Sequence, residues 1–528
     1  MEKRKIVVCD HIHEKGLKIL ESQSDIIYVN VANEPKDKLP ELIEDADVII
    51  TRSSTDVDEK LLVKVKKLKA IVRAGVGVDN IDIKECSKRG IIVMNVPTAN
   101  TIAAVELTMA HLLNCVRAFP YAHSELKDKR VWKRENWYGT ELKDKKLGII
   151  GFGNIGSRVG IRAKSFEMDV IAYDPYVPSN KATDLGIKYT TNFDDILACD
   201  IITIHTPKNK ETLNIINYEQ IEKMKDGVIL INCARGGLYN EDAIFDGLKS
   251  GKIKFAGMDV FNKEPATNNP LLDLNNICVT PHLGANTKES QFKIAIAAAE
   301  QAIEAAKGIS YPNALNLPIK ENEIPPFVKP YLELVQKVGY FAAQANKGAI
   351  TSIKISAEGA ISDYLESLLT FATVGALTDS IGDNINYVNA VYVAGERGIK
   401  LETLKSPNQS GYQNKISVKV TTPKDVVTIS GTVFDEDKLR IVNLNGFILD
   451  VEPKGNMILF KNSDVPGVIG DVGMTLAKHN INIADFRLGR NSNNEALAVI
   501  IVDEPVDNEV LKELANLKAC LSVHHVVV

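Results

Sequence analysis

Short runs of β-branched apolar residues recur along the first part of this chain, with helical periodicity between them. Over residues 1 to about 95 the runs are Lys5–Cys9, Val48–Thr51, Ala70–Arg73 and Ile91–Met94. Such alternation predicts a parallel sheet with crossover helices. Thr101 to about Arg117 is apolar at helical spacing, and predicts a long buried helix, capped by Asn100, that links two lobes. From Lys146 a second series predicts strands at Leu147–Ile150, Val170–Tyr173, Ile201–Ile204, Val228–Ile231, Gly257–Val260 and Cys278–Thr280. The alanine- and glutamate-rich run after Asn286 predicts a helix returning to the first lobe, and Tyr311 to Pro326 reads as a linker.

Beyond the linker the texture changes. Ile353–Ser356, Ala390–Val393, Ile416–Val420 and Val427–Val433 alternate apolar and polar residues, which predicts half-exposed strands in a smaller α+β domain. Residues 452–455 (Glu-Pro-Lys-Gly) mark a boundary, after which the chain reads strand, helix, strand, strand, helix, strand. The expected domains are 1–97 with 287–312, 98–286, 317–451 and 455–528.

Composition narrows the class. A net charge of -5 with no basic block disfavours nucleic acid. No stretch is long enough to span a bilayer, and the apolar run near the N-terminus is too short for a signal peptide. The 7 cysteines are scattered without a Cys-x-x-Cys pair, which argues against a disulfide framework or a metal site and for a reducing cytoplasm.

The chemistry sits where the predicted strands end. Gly151-Phe152-Gly153-Asn154-Ile155-Gly156 follows one strand and opens a helix, and Asp174 closes the next strand. In that context the glycines let the backbone approach a pyrophosphate, the helix N-terminus supplies donors, and the acid takes the adenine-ribose hydroxyls. Asp174 also favours NAD over NADP, because its carboxylate would repel a ribose phosphate; an Asp capping its own turn fits the same residue. The expected architecture is therefore α/β with two Rossmann-like parallel-sheet lobes, then an α+β domain and a βαββαβ domain. In an open parallel sheet, ligands bind beyond the carboxyl ends of the strands. Arg235, Glu264 and His282 follow three successive strands and should converge there. An imidazole can carry a hydroxyl proton, a carboxylate can hold its far nitrogen, and a guanidinium suits a substrate carboxylate. His205 also ends a strand and reads as structural.

At these residues the chain resembles the D-isomer-specific 2-hydroxyacid dehydrogenases. The resemblance rests on Asn232-Cys233-Ala234-Arg235-Gly236-Gly237, Asp259-Val260-Phe261, Glu264-Pro265 and Pro281-His282-Leu283-Gly284-Ala285, and on Arg73 to Asn80 in the first lobe. It implies NAD as cofactor, held by the glycine loop, Asp174, Thr206, Cys233, Ala234, Arg235, Asp259, His282, Gly284 and Ala285. The Cys-Ala-Arg-Gly-Gly wording and the two added domains resemble the long-type branch, which implies oxidation of 3-phosphoglycerate at C2 as the entry to L-serine synthesis. Arg52, Ser53, Arg73 and Asn100 would then bind substrate, and Arg134 would reach a neighbouring subunit's site in a homo-oligomer, a tetramer by resemblance. Asn154 stands where that family commonly has a basic residue, and Ala99 where glycine is frequent. The C-terminal part resembles an ACT domain, with Asn462, Asp464 and Asn482 placed to hold L-serine between paired copies. Two other readings stay open: a glyoxylate or hydroxypyruvate reductase, and a cofactor-sensing corepressor on the same fold.

Overall fold

The structure is a computed structural model that describes residues 3–319, 323–346, 348–407 and 411–528. Its first sheet comprises β1 (Arg4–Val8), β2 (Ile26–Asn30), β3 (Val48–Thr51), β4 (Ala70–Arg73) and β5 (Ile92–Met94), all parallel, in the order β2-β1-β3-β4-β5. Residues 6–8 and 48–50 are fully buried, because helices cover both faces. The second sheet holds β6 (Lys146–Ile150), β7 (Asp169–Tyr173), β8 (Lys188–Thr190), β9 (Ile201–Ile204), β10 (Val228–Asn232), β11 (Ile253–Met258) and β12 (Ile277–Val279), in the order β12-β11-β10-β9-β6-β7-β8. Each order reverses once, beside β1 in the first sheet and beside β6 in the second. A crevice opens at such a reversal, and the two crevices face the groove between the lobes.

Two helices tie the lobes together. Thr101–Arg117 is buried along most of its length, with Asn100 at its cap position but no side-chain cap bond. Lys288–Lys307 is capped by the Thr287 side chain, ends at Gly308 in the left-handed region, and returns to the first sheet. There it crosses the helix Glu14–Glu21 so closely that a Cβ on Gly16 would lie 2.5 Å from the Ala295 carbonyl oxygen. Small residues at 295, 298, 299 and 302 allow the approach. The Asn316 side chain then fastens the start of the linker to β5 by accepting from Val93 N.

The intervening domain has a six-stranded sheet: β13 (Ser352–Glu358), β14 (Lys400–Lys405), β15 (Lys415–Thr421), β16 (Val426–Phe434), β17 (Lys438–Leu444) and β18 (Phe447–Val451), in the order β14-β13-β15-β16-β17-β18. Helices Lys329–Gln344 and Leu365–Ile381 cover one face. Here the strand expected at Ala390–Val393 is corrected: Ala390–Glu396 is a helix. Its alternating pattern mimics a strand, but Ala390 and Ala394 are buried one helical turn apart, and Asn386 and Asn389 fold the preceding turn. The strand expected at Gly257–Val260 is likewise corrected to Ile253–Met258, which leaves Asp259 just beyond the sheet. Strands β8 and β14 are short or charged and lie at sheet edges, so they lack a strong apolar signal. The last domain, β19 (Asn456–Ser463), helix Val468–Lys478, β20 (Ile483–Arg490), β21 (Glu495–Val502), helix Asn508–Ala515 and β22 (Cys520–Val527), is a βαββαβ unit with an antiparallel sheet.

Among the described residues no single helix is long and apolar enough to cross a membrane, although the bent pair Thr101–Arg117 and Phe119–Lys127 passes by composition together. No cluster of His, Cys, Asp or Glu among them could hold a metal.

Gly16→Ala tests the helix crossing. Alanine gains helix propensity of ~1 kcal/mol, but the added methyl collides with backbone, so the variant should unfold in urea with a net loss of about 1–3 kcal/mol.

Candidate active site

Five strand ends of the second sheet build one wall of the interlobe cleft. The glycine loop follows β6, and its helix runs from Asn154 to Ser165. Gly151 sits at φ 88°, and a Cβ there would lie 2.7 Å from the His205 carbonyl oxygen. A Cβ on Gly156 would lie 2.1 Å from the Gly151 oxygen, whereas none of the surrounding atoms comes near Gly153. Gly151 and Gly156 therefore shape the turn, and Gly153 leaves its approach open, which fits a pyrophosphate over the helix N-terminus. Asn154 and Ile155 line the cleft. Asp174 accepts from Phe152 N at 2.8 Å and from Tyr176 N at 2.9 Å, so it braces the glycine loop and caps its own turn. The Thr206 hydroxyl lines the cleft and is buried without a partner. An unpaired donor at that place fits a polar cofactor.

Farther along the sheet lie His282 and Glu264. His282 takes a left-handed backbone, φ 54°, and its Nδ1 is 2.7 Å from Glu264 Oε2. The other Glu264 oxygen accepts from Phe261 N at 3.0 Å. Burial raises the Glu264 carboxyl, but the His282 hydrogen bond, the Phe261 N–H and the charges of His282 and Arg235 together bring it below the usual range. With Nδ1 engaged by the carboxylate, Nε2 is the nitrogen left to exchange a proton.

Asp259, expected as a cofactor contact, is fully buried and outside the cleft lining. Its carboxylate accepts from Thr280 Oγ1 at 2.6 Å, Leu283 N at 2.7 Å and Gly284 N at 2.9 Å, and its carbonyl accepts from His282 N. It thus holds the His282 turn from behind. Cys233 and Ala234 line the cleft after β10. Burial, and next the charge of Asp259, push the Cys233 thiol far up, so it is no nucleophile. His205 faces the cleft, but burial pushes its imidazole down to about 3, and it stays neutral.

The opposite wall carries cations. Arg52 follows β3, Arg73 ends β4, and Arg235 reaches across from the second lobe. The Arg235 Nε pairs with Asp79 Oδ2 at 3.1 Å, and Gly77 has no side chain where that guanidinium passes. Arg73 is more deeply placed, and its Nε is buried without a partner. Burial, then the positive charges of Arg235 and Arg52, push Arg73 down to about 10. It remains protonated at neutral pH beside two like charges. Burial also lowers Arg52, partly offset by Asp10. Ser53, Asn100, Gly284 and Ala285 complete the lining of a cleft of about 1090 Å³. Arg134 lies outside it, on an exposed turn. The sequence reading missed Asp10 and Asp79, which brace this wall, and Lys208, which follows the His205-Thr206-Pro207 turn into the cleft. For Asp10 a signal existed: it ends the first strand as Asp174 ends a strand of the second lobe.

The last domain has a cavity of about 390 Å³ lined by Asn462, Asp464 and Arg490. The Asn462 Oδ1 is buried and unpartnered, and Asp464 pairs with Arg490 Nε at 3.2 Å. Asn482 lies outside this cavity and donates to Asp503 at 2.7 Å.

Three family models match the chain. "D-isomer specific 2-hydroxyacid dehydrogenase, NAD binding domain" covers residues 109–284, "D-3-phosphoglycerate dehydrogenase intervening domain" covers 327–445, and "ACT domain" covers 456–519. The D-3-phosphoglycerate dehydrogenase of Bacillus subtilis (strain 168) is 39% identical over 98% of this chain and 98% of its own. The chain belongs to the D-3-phosphoglycerate dehydrogenase family, within the D-isomer-specific 2-hydroxyacid dehydrogenases. The Archaeoglobus fulgidus member named D-3-phosphoglycerate dehydrogenase is 37% identical over 99% of both chains. The crystal structure of D-lactate dehydrogenase from Aquifex aeolicus with NAD and lactic acid matches 59% of this chain and 99% of its own, with 29% identity and a TM-score of 0.53. The NAD-binding family model, over residues 109–284, includes Arg235, Glu264 and His282.

Glu264→Gln should lower kcat about 10²-fold, the usual weight of general acid–base support, with little change in KM. Its pH signature has a definite sign. Glu264 titrates lower folded than unfolded, so its contribution to stability is present above about pH 4.3 and is lost as pH falls through the folded value. More than a third of the side chain is exposed, which keeps that contribution under ~1 kcal/mol. Thermal melts of the variant and parent should differ slightly at pH 7 and coincide at pH 3.

Proposed function

We propose that this chain oxidises 3-phospho-D-glycerate at C2 to 3-phosphohydroxypyruvate, with NAD as the oxidant, as the first step of L-serine biosynthesis. The observation that carries this reading is the charge of the cleft. Three guanidiniums, Arg52, Arg73 and Arg235, share one wall, and among the described residues Asp79 is the one carboxylate in a salt bridge with any of them. 3-Phosphoglycerate carries roughly three negative charges, one from its carboxylate and nearly two from its phosphate. It matches the wall. Glyoxylate or hydroxypyruvate carries one and would leave buried cations uncompensated. The corepressor alternative gives no use for a histidine held by a carboxylate beside the cleft.

The residues divide the work. Arg52 and Arg73 hold the substrate's anionic ends, with Ser53 and Asn100 as lesser donors. Arg235 holds the carboxylate and polarises the C2 oxygen. His282 Nε2 accepts the C2 hydroxyl proton as the C2 hydride departs, and Glu264 stabilises the imidazolium that results. NAD, when bound, supplies the hydride acceptor. The glycine-loop amides, Thr206, Asp174, Cys233 and Ala234 are the groups that would hold it. Asp259 keeps the His282 turn in register.

In the C-terminal domain, Asn462 and Asp464 are suited to L-serine's ammonium and hydroxyl. Asn482 could join them only from a second copy of the chain, as in a homo-oligomer, a tetramer by resemblance. Arg134, exposed on its turn, would reach a neighbour's cleft in the same assembly. All 7 cysteines are free, which supports a cytoplasmic enzyme.

An assay of NADH formation with 3-phosphoglycerate, with and without L-serine, tests both parts. Arg235→Ala should abolish turnover. Arg52→Ala should raise KM for 3-phosphoglycerate about 10–100-fold, the loss of one charged hydrogen-bonding group. Serine inhibition that survives Asp464→Ala would contradict the effector site.

A further inference from the structure

Arg52 is held by a residue that the catalytic account does not use. β1 ends at Val8, and Asp10 lies just beyond it, at the reversal between β1 and β3 where the first sheet opens its crevice. Asp10 is only 2% exposed. Its Oδ1 accepts from Lys36 Nζ at 2.5 Å, Ser54 Oγ at 2.7 Å and Thr55 Oγ1 at 2.8 Å. Its Oδ2 accepts from the Arg52 backbone N–H at 2.5 Å. Three donors crowd Oδ1 and the Arg52 N–H takes Oδ2, so both oxygens are engaged within the protein. Asp10 faces away from ligand: the cleft lining includes Arg52, Ser53 and Ser54 but not Asp10. The residue after it, His11, takes the Arg52 guanidinium on its carbonyl at 3.0 Å. From the other side, Asn80 Nδ2 donates to the Arg52 carbonyl at 2.7 Å. The backbone N–H, the backbone carbonyl and the guanidinium of Arg52 are therefore each fixed.

Charge explains why an acid serves here. Lys36 neutralises Asp10, so the pair leaves the Arg52 cation available to the cleft. Burial works against the Asp10 carboxylate, but Lys36, Ser54, the Arg52 N–H and Thr55 keep it ionised. We propose that Asp10 is a positioning residue for substrate recognition: through the Arg52–Ser54 turn it sets the guanidinium that binds the phosphorylated end of the substrate. This rests on the reading of Arg52 given above.

The test is steady-state kinetics with two substrates, 3-phosphoglycerate in oxidation and glyoxylate in reduction. Asp10→Asn puts an amide N–H₂ against donors and should release the turn. KM for 3-phosphoglycerate should rise about tenfold, the loss of a hydrogen bond to a charged group. kcat, KM for NAD and kcat/KM for glyoxylate should stay within about threefold, the scatter of a remote change. Thr55→Val, which removes one donor and keeps shape, should give a smaller rise of the same kind and serves if Asp10→Asn does not fold. In an Arg52→Ala background, Asp10→Asn should add almost nothing, because both act through one group. Equal losses on both substrates, or full additivity with Arg52→Ala, would overturn the proposal and leave Asp10 as a fold anchor. If Arg52→Ala itself leaves KM for 3-phosphoglycerate unchanged, the reading of Arg52 fails. If Arg52→Ala raises KM while Asp10→Asn and Thr55→Val do not, the positioning role alone fails.

Discussion

Like charges packed together in a low-dielectric cleft are the constraint on which this structure depends. Arg73 cannot relax away from Arg52 and Arg235, because β4, the glycine at 77 and the turn after β3 fix all three. Repulsion between them weakens when an anion enters, and the gain is larger there than in water. The same arrangement makes the site selective: a ligand with too little charge leaves the cations facing one another. Binding energy thus comes from a cost already built into the free protein, which folding elsewhere sustains.

What sustains it is topology. Both parallel sheets end their strands toward the same groove, so residues far apart in sequence meet there without long loops. Each wall then has a buried carboxylate behind it. Asp259 accepts four hydrogen bonds in all, three on its carboxylate and one on its carbonyl, to hold the His282 turn; Asp10 does the corresponding work for Arg52. Neither touches the cleft. His282 and Glu264 stay partly exposed toward the cleft, while the turns that carry His282 and Arg52 are fixed from within. The two carboxylates behind them, Asp10 and Asp259, are buried and hydrogen-bonded, the condition under which buried polar groups specify geometry rather than merely destabilise.

Much of this was legible in the chain because it is written in strand ends. The apolar runs of β3, β4, β9 and β10 are bounded by polar residues, so Arg52, Arg73 and Arg235 could be placed from sequence. The glycine loop was legible for the same reason. Edge strands such as β8 and β14 were not, since their charged residues carry no burial signal. Helix Ala390–Glu396 was misread because two periods overlap over five residues, and only the packing of Ala390 and Ala394 decides between them. Asp259 shows a different limit. The strand expected at Gly257–Val260 ends one residue before it, and whether a carboxylate there points into a cleft or back into the protein depends on donors from residues 280–284. For Asp10 only the strand-end position was legible; its partners lie at residues 36 and 52–55, brought near only by the parallel pairing of β1 with β3.

The most direct measurement compares kcat/KM for D-3-phosphoglycerate with kcat/KM for D-glycerate, which differs only in lacking the phosphate, at one ionic strength. If three crowded guanidiniums select the substrate by charge, the phosphorylated acid should be preferred by about 10² or more, the weight of two charge-assisted contacts. A ratio near one would show that the cations do not face the substrate, and would contradict the account.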